Sequence, residues 1–288
     1  MPFDPKTTKF PYPEDTDRHY LLVKKDNGQV FDKDYPFIDE SKGFKFRRGI
    51  FRVLMFFIMM PIARIRTGLK IEGKKNLKKH KNTIKNGIIS ICNHIHMWDF
   101  IDISSAIWPH KPYVLSWAPD LRGENRVLIR YSGGIPIPED DVRATIAYVR
   151  SVGKMLNKGG WLHIYAEGSM WEYYQPIRPF KRGVSYFAIK YDKPVLPMAY
   201  SFRKPGFIRR KIFHQIATLT LHIGEPLYVD KTLPSQEQEE DLTRRCHDAV
   251  CALAGIDPSE NIYPPIYDQS KRIDYYASEY GVGYKGSW

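Results

Sequence analysis

The sequence predicts an α/β fold, a central mixed sheet flanked by helices. Two observations lead there. From residue 86 to residue 255, short apolar runs alternate with longer segments of helical spacing, the pattern of strands covered by helices. A hydrophobic content of 43% over 288 residues supplies one sizeable core with extended ends. No internal repeat interrupts the pattern.

Residues 1–45 are polar and aromatic and contain Pro2, Pro5, Pro11, Pro13 and Pro36. They read as an extended arm with at most short strands, such as 20–23. Residues 46–85 form a basic amphipathic segment, and residues 86–255 the α/β domain. Within the domain, 87–92 (GIISIC) is a short buried strand and 97–107 a helix. Residues 112–117 (PYVLSW) form the next strand. Residues 140–157 place Val142, Ile146, Val149, Val152, Met155 and Leu156 at helical spacing. Strand 161–166, helix 183–191 and strand 195–200 follow. Residues 217–223 alternate like a half-buried strand. A polar-faced helix over 236–254 ends at Gly255. Residues 256–288 are a tail rich in Tyr, Pro and Gly.

Charge is unevenly placed. Between Lys42 and Lys85 stand fourteen Lys or Arg and one acid, Glu72, a net +13 in a chain of net +12. Such a block calls for an anionic partner, either a lipid surface or nucleic acid; a solvated basic face is the plain alternative. The filling of the block favours lipid. Residues 49–63 read GIFRVLMFFIMMPIA, with Arg47, Arg48 and Arg52 before or inside and Arg64 and Arg66 after. As a helix this spans roughly 22 Å, short of a bilayer core of about 30 Å. Pro61 is expected to kink its end. The segment suits the membrane interface, with aromatics and Met among acyl chains and Arg at the headgroups. A buried core helix is the competing reading. A groove-binding surface would not carry this apolar block, so no nucleic acid is expected.

Cys92, Cys246 and Cys251 form no disulfide framework and have no metal-ligand spacing, which fits a reduced, cytosol-facing protein. The N-terminal residues lack the basic and apolar regions of a signal peptide, so no export is expected.

The chemistry concentrates at residues 93–99, Asn-His-Ile-His-Met-Trp-Asp, directly after a strand and opening a helix. His94 falls in the turn and Asp99 about one turn into the helix. The carboxylate can then hold one imidazole nitrogen and leave the other free as a base. An N-capping Asn93 among incidental polar residues is the plain alternative. His94, His96 and Asp99 could also ligate a metal, but the spacing to the acid is off by one and a third His is missing. No metal is expected.

Further short motifs follow in order: Gly133-Gly134-Ile135-Pro136-Ile137, Tyr165-Ala166-Glu167-Gly168-Ser169, Pro179-Phe180-Lys181-Arg182-Gly183, Val195-Leu196-Pro197 and Gly224-Glu225-Pro226-Leu227. Together with residues 93–99 they resemble the glycerolipid acyltransferase family, over roughly residues 50–255. The resemblance implies a glycerol-phosphate acyltransferase-like fold and direct acyl transfer. His94, oriented by Asp99, would take the proton of an acceptor hydroxyl, and the oxygen would attack an acyl thioester. Backbone donors would stabilise the oxyanion. Asn93, Gly133, Ile135, Glu167, Gly168, Ser169, Lys181 and Arg182 are the implied substrate-binding residues. Glu167 has a plainer alternative, a strand-end carboxylate paired with a nearby Lys. No cofactor is implied. The donor would be acyl-CoA or an acyl carrier protein thioester, and the acceptor a lysophospholipid or glycerol phosphate. The partners would be membrane lipids, at the cytoplasmic face of a membrane, with peripheral or monotopic attachment.

Two positions depart from the family. Its second block ends in Arg where this chain has Glu139, and its third continues to Arg where this chain has Met170. Those arginines hold the acceptor's phosphate in the family, so a neutral or amine-bearing acceptor is an alternative; Arg143, Arg178, Lys181 or Arg182 could substitute. A catalytically silent lipid-binding protein is the alternative from another class. The retained His94 and Asp99 speak against it.

Overall fold

The computed structural model describes residues 26–213, 215–260 and 271–273. The strand expected at 20–23 and most of the tail lie outside the described residues.

A helix comes first, and it begins inside the expected arm. Ser41 caps it by accepting the Phe44 N–H at 3.2 Å, and α1 runs over Lys42–Leu54. A single π-helical stretch, Met55–Met59, joins it to α2, Met60–Thr67. Pro61 has no N–H to donate, and the wider turn just before it, closed by the Met60 N–H on the Met55 carbonyl, lets the helix continue to Thr67. Gly68 ends it at φ 60°, in the left-handed region.

The basic segment expected over 46–85 divides in two. After Gly68, β1 (Lys70–Glu72) joins the sheet, and α3 (Lys74–Lys79) and α4 (Lys81–Lys85) pack beside it. Leu69 and Ile84 are buried there, with Ile71 and Leu77 against them. These apolar residues are too few and too irregular to announce a strand or a helix face.

The domain then alternates as expected. Strands β2 (Ile88–Cys92), β3 (Pro112–Ser116), β4 (Gly134–Pro136) and β5 (Trp161–Tyr165) come first. Between them lie α5 (Asp99–Ala106), α6 (Arg126–Ser132) and α7 (Val142–Asn157). Next come α8 (Gly183–Tyr191), β6 (Val195–Arg203), α9 (Phe207–Lys211), β7 (Thr218–Ile223) and α10 (Ser235–Ala254). The seven strands form one mixed sheet in the order β1-β7-β6-β2-β5-β3-β4. All neighbours are parallel except β6 and β7.

This order has a consequence for the site. The chain leaves β2 toward β3 on one side and leaves β5 toward β6 on the other, so the two crossovers cover opposite faces. Ile103, Ala106 and Ile107 at α5 pack with Ile88, Cys92 and Trp161. Helices α7, α8 and α10 pack on the other face, against Ile89, Ile91, Leu162 and Ile164. A crevice therefore opens at the carboxyl ends of β2 and β5, where α/β sheets bind ligands.

The leading helix lies against α5 and the start of β3. Its inward side is unusual: Arg48 and Arg52 are buried with Phe44, Met55, Met60 and Ala63. Arg48 donates to the Pro112 carbonyl at 3.1 Å and lies 3.9 Å from the Tyr113 ring centroid. Arg52 donates to the His110 carbonyl at 3.1 Å and lies 5.2 Å from the Trp108 ring centroid. The expectation that these two arginines sit at lipid headgroups is corrected. They hold the helix to the domain, their stems packing as apolar surface. The outward side carries Phe46, Ile50, Val53, Leu54, Phe57, Ile58, Ile62 and Ile65, all exposed. Among the described residues, no helix is long and apolar enough to cross a membrane.

Candidate active site

The β2 strand ends at Cys92, and residues 93–98 turn the chain into α5. Asn93 is buried, and its amide is spent on β6. It donates to the Tyr200 carbonyl at 3.2 Å and accepts the Tyr200 N–H at 2.8 Å. This tether fixes where the turn begins, so Asn93 sets the loop and does not face the crevice as a substrate ligand.

One carboxylate oxygen organises the turn. Asp99 Oδ2 accepts the Ile95 N–H at 2.8 Å, the His96 N–H at 3.0 Å and His94 Nδ1 at 3.1 Å. Two main-chain donors already point at this oxygen, so it acts as an acceptor and His94 Nδ1 carries the proton. Nε2 then holds the lone pair, and among the described residues it meets no protein partner. The His94 side chain is 24% exposed and Asp99 is fully buried, so the pair opens to the crevice on the His94 side only. Tyr165, the last residue of β5, stacks on the imidazole at 3.9 Å between centroids. Tyr200 donates its hydroxyl to the Asp99 carbonyl at 2.8 Å.

Desolvation sets the proton chemistry. Burial lowers the His94 pKa to about 3, with Glu167 pulling it up and Arg178 pushing it down. Burial also raises the Asp99 carboxyl well above the usual carboxylate range, opposed by the Ile95 and His96 N–H groups. The imidazole is therefore neutral at physiological pH, the form a general base requires.

Glu167 follows β5 and is buried against this turn. It forms an ion pair with Arg178, Nη2 to Oε2 at 2.9 Å, and accepts the Arg178 N–H on Oε1 at 3.1 Å. The His94 N–H reaches Glu167 Oε2 at 3.4 Å. The plainer reading of Glu167 as a paired carboxylate thus holds in kind, with Arg178 in place of a lysine. Ser169 is also buried. Its hydroxyl accepts from Arg178 Nη1 at 2.8 Å, and its carbonyl accepts from Nη2. Gly168 adopts φ +85°, a conformation side chains rarely take, and a Cβ there would meet the Lys181 stem at 3.3 Å. Lys181 is exposed above it, its N–H on the Ala166 carbonyl at 2.7 Å. Arg182 is largely exposed and faces Glu239 at 3.6 Å.

The structure thus gathers His94, Asp99, Glu167, Gly168, Ser169 and Lys181 around one crevice, while Arg182 points into solvent. It does not bring Gly133 or Ile135 there. Gly133 precedes β4, at the amino end of the strand, where a Cβ would meet the Pro112 carbonyl oxygen at 2.5 Å and Arg48 at 2.8 Å. Ile135 is fully buried in the core. These two residues pack the sheet edge. Met170 is buried, and Glu139, beyond β4, pairs with Arg122 at 2.6 Å.

His96 turns away from His94. Its Nδ1 accepts the Trp98 N–H at 3.2 Å, and its ring meets Tyr173 edge-on at 5.6 Å. Among the described residues, no group of three His, Cys, Asp or Glu could hold a metal ion.

Sequence reasoning misses the stacking of Tyr165 on His94 and the main-chain framing of the turn. The Trp171 N–H bonds the His94 carbonyl at 3.0 Å and the Tyr173 N–H bonds the Ile95 carbonyl at 2.9 Å. Neither leaves a sequence signal, because both are contacts between loops far apart in the chain.

Residues 68–201 match the family model described as Acyltransferase. The chain is also similar to a solved structure, the 1-acyl-sn-glycerophosphate (LPA) acyltransferase PlsC from Thermotoga maritima. That match has 19% identity and a TM-score of 0.49 and covers 76% of this chain and 84% of the other. No curated protein matches the chain.

Proposed function

We propose that the chain, whose residues 68–201 match the family model described as Acyltransferase, moves a fatty acyl group from a thioester to the hydroxyl of a lysophospholipid at a membrane surface. The observation that carries this reading is the His94–Asp99 pair, 3.1 Å apart, with a neutral imidazole opening to the crevice. The acceptor hydroxyl gives its proton to His94 Nε2 as its oxygen attacks the thioester carbonyl. Collapse of the tetrahedral adduct expels the thiolate, which takes the proton back from Nε2. Acyl-CoA or an acyl carrier protein thioester supplies the acyl group. Glu167 acts as a positioning residue, since it bonds the His94 main chain and not the crevice.

The outward apolar face of α1 and α2 supports attachment to the bilayer interface, with Arg47, Arg64 and Arg66 exposed beside it. On this reading the protein is peripheral or monotopic at the cytoplasmic face.

The acceptor headgroup follows from which cations are available. Arg178 is committed to Glu167 and Ser169, Met170 is apolar and buried, and Glu139, beyond the edge strand β4, is paired with Arg122, so neither of the two positions where the family carries arginine offers a cation to a phosphate. A phosphate monoester carries nearly two negative charges. Purified protein with labelled acyl-CoA and a panel of lysolipids at equal concentration tests the function directly. The expected result is acylation of lysophospholipids, with zwitterionic or neutral headgroups preferred over lysophosphatidic acid by about fivefold, the worth of ~1 kcal/mol at a part-exposed charge. A strong preference for lysophosphatidic acid overturns the headgroup assignment. Absence of transfer to any lysolipid overturns the function.

The lowered pKa of His94 makes a second prediction. A free imidazole would be half protonated near pH 6.5 and its base activity would fall below it. Here the base form persists until the pH approaches about 3. The kcat/KM profile is therefore expected to stay flat through pH 6.5 and down to the acid limit of folding. A drop centred near 6.5 that is lost with the His94 side chain would show that the imidazole is solvated.

A further inference from the structure

The segment between β6 and β7 carries the sequence FIRRKIF at 207–213, most of it in the short helix α9. Phe207, Ile208, Ile212 and Phe213 are 69, 60, 65 and 57% exposed. Four large apolar side chains clustered in water on one short segment mark a contact surface. From residue 201 to residue 217 there are five Lys or Arg and no acid. Aromatic and aliphatic tips with cations between them have the composition of a segment that enters an anionic lipid interface.

Two observations place this segment. First, it is tied to the end of the leading helix. Arg209 donates to the Ile65 carbonyl at 2.7 Å, and Gln215 donates to the Ile65 and Arg66 carbonyls at 2.8 and 2.7 Å. These bonds satisfy carbonyls that the last turn of α2 leaves open, and they hold α9 beside the outward apolar face that ends at Ile65. Second, β6 runs parallel to β2, so its carboxyl end lies at the same edge of the sheet as His94. Phe202, near that end, has its ring 6.2 Å from the Tyr173 ring, and Tyr173 bonds the Ile95 carbonyl next to His94.

We propose that α9 with its flanking residues Ile212 and Phe213 is a second bilayer-inserting element, which works with the α1–α2 face to set the mouth of the crevice against an anionic lipid surface. One helix lying in the interface leaves the protein free to roll about the helix axis. A second contact at the carboxyl edge removes that freedom and aims the His94 crevice at the lipids, so that an acyl acceptor enters without passing through water. The proposal rests on the membrane attachment proposed above, and charge complementarity with continuity to the outer helix face favours lipid over a protein partner.

The test compares three full-length proteins on vesicles of phosphatidylcholine with phosphatidylglycerol as the anionic third. They are the wild type, Phe207→Ser/Ile208→Ser/Ile212→Ser/Phe213→Ser, and Phe46→Ser/Ile50→Ser/Val53→Ser/Phe57→Ser. The α9 variant is expected to lose at least about tenfold in vesicle partitioning, as the helix variant does, with its thermal unfolding unchanged. A second measurement avoids dependence on that variant's folding. Cys92, Cys246 and Cys251 are all buried, so a polarity-sensitive dye can be directed to Phe213→Cys alone. Its emission is expected to shift to the blue on vesicles. If the α9 variant binds within twofold of wild type and the dye does not respond, while the helix variant loses binding, the proposal is overturned and the membrane reading stands. If the wild type itself does not bind, both fall.

Discussion

A His94→Ala protein is expected to fold normally and to lose acyl transfer by about 10²–10⁴-fold, the usual worth of a general base. The substitution is clean because the bonds that frame the turn are made by its backbone. The Trp171 N–H still reaches the residue-94 carbonyl, and Asp99 still accepts the N–H groups of Ile95 and His96. Asp99→Ala would be a poorer test, since it would leave those donors without their acceptor and disturb the loop along with the chemistry. The ring's stacking on Tyr165 is lost in His94→Ala, so a modest fall in thermal stability accompanies the loss of rate. Single-turnover transfer from labelled acyl-CoA, beside thermal unfolding of the same preparation, measures both. Turnover within a few-fold of wild type by a folded variant would remove His94 from the mechanism.

The His94–Asp99 pair is legible in the sequence because it is local. A strand ending, a turn and a helix start lie within a few residues of one another, and the carboxylate reaches back over one turn. The alternation of strands and helices is legible for the same reason, and α8 coincides with the expected bounds of 183–191. Expectation fails where structure depends on partners far along the chain. Strands β1 and β4 are three residues each, too short to show a period, and they exist because β7 and β3 offer edges to pair with. The inward arginines reverse the usual assignment of charge to the outside. Arg48 and Arg52 bond carbonyls at Pro112 and His110, 64 and 58 positions along the chain, and hydropathy patterning carries no information about such contacts. The motif groups Gly133 with the site, whereas its φ of 123° and its approach to Pro112 and Arg48 explain the glycine by packing.

Arg178→Met should produce the largest change in stability, and the reason lies in what is left behind. The Glu167 side chain is 2% exposed and that of Arg178 3%, so neither charge can be handed to water when the other is removed. Breaking a buried ion pair by deleting one partner costs about 3–5 kcal/mol, because an uncompensated charge stays inside. Two N–H donors would remain for Glu167, from residue 178 itself at 3.1 Å and from His94 at 3.4 Å, which places the expected loss near the lower end. Urea unfolding of Arg178→Met, Glu167→Gln and the double variant forms a cycle. The double variant is expected to be more stable than the sum of the two losses allows, since neutralising Glu167 removes the stranded charge. Activity should fall with the pair as well, because Glu167 holds the His94 main chain and a relaxed turn would let the imidazole drift from its line to the acceptor. Wild-type stability and wild-type kcat in Arg178→Met would mean that the crevice is solvated at Glu167, and Glu167 would then be free to meet substrate directly.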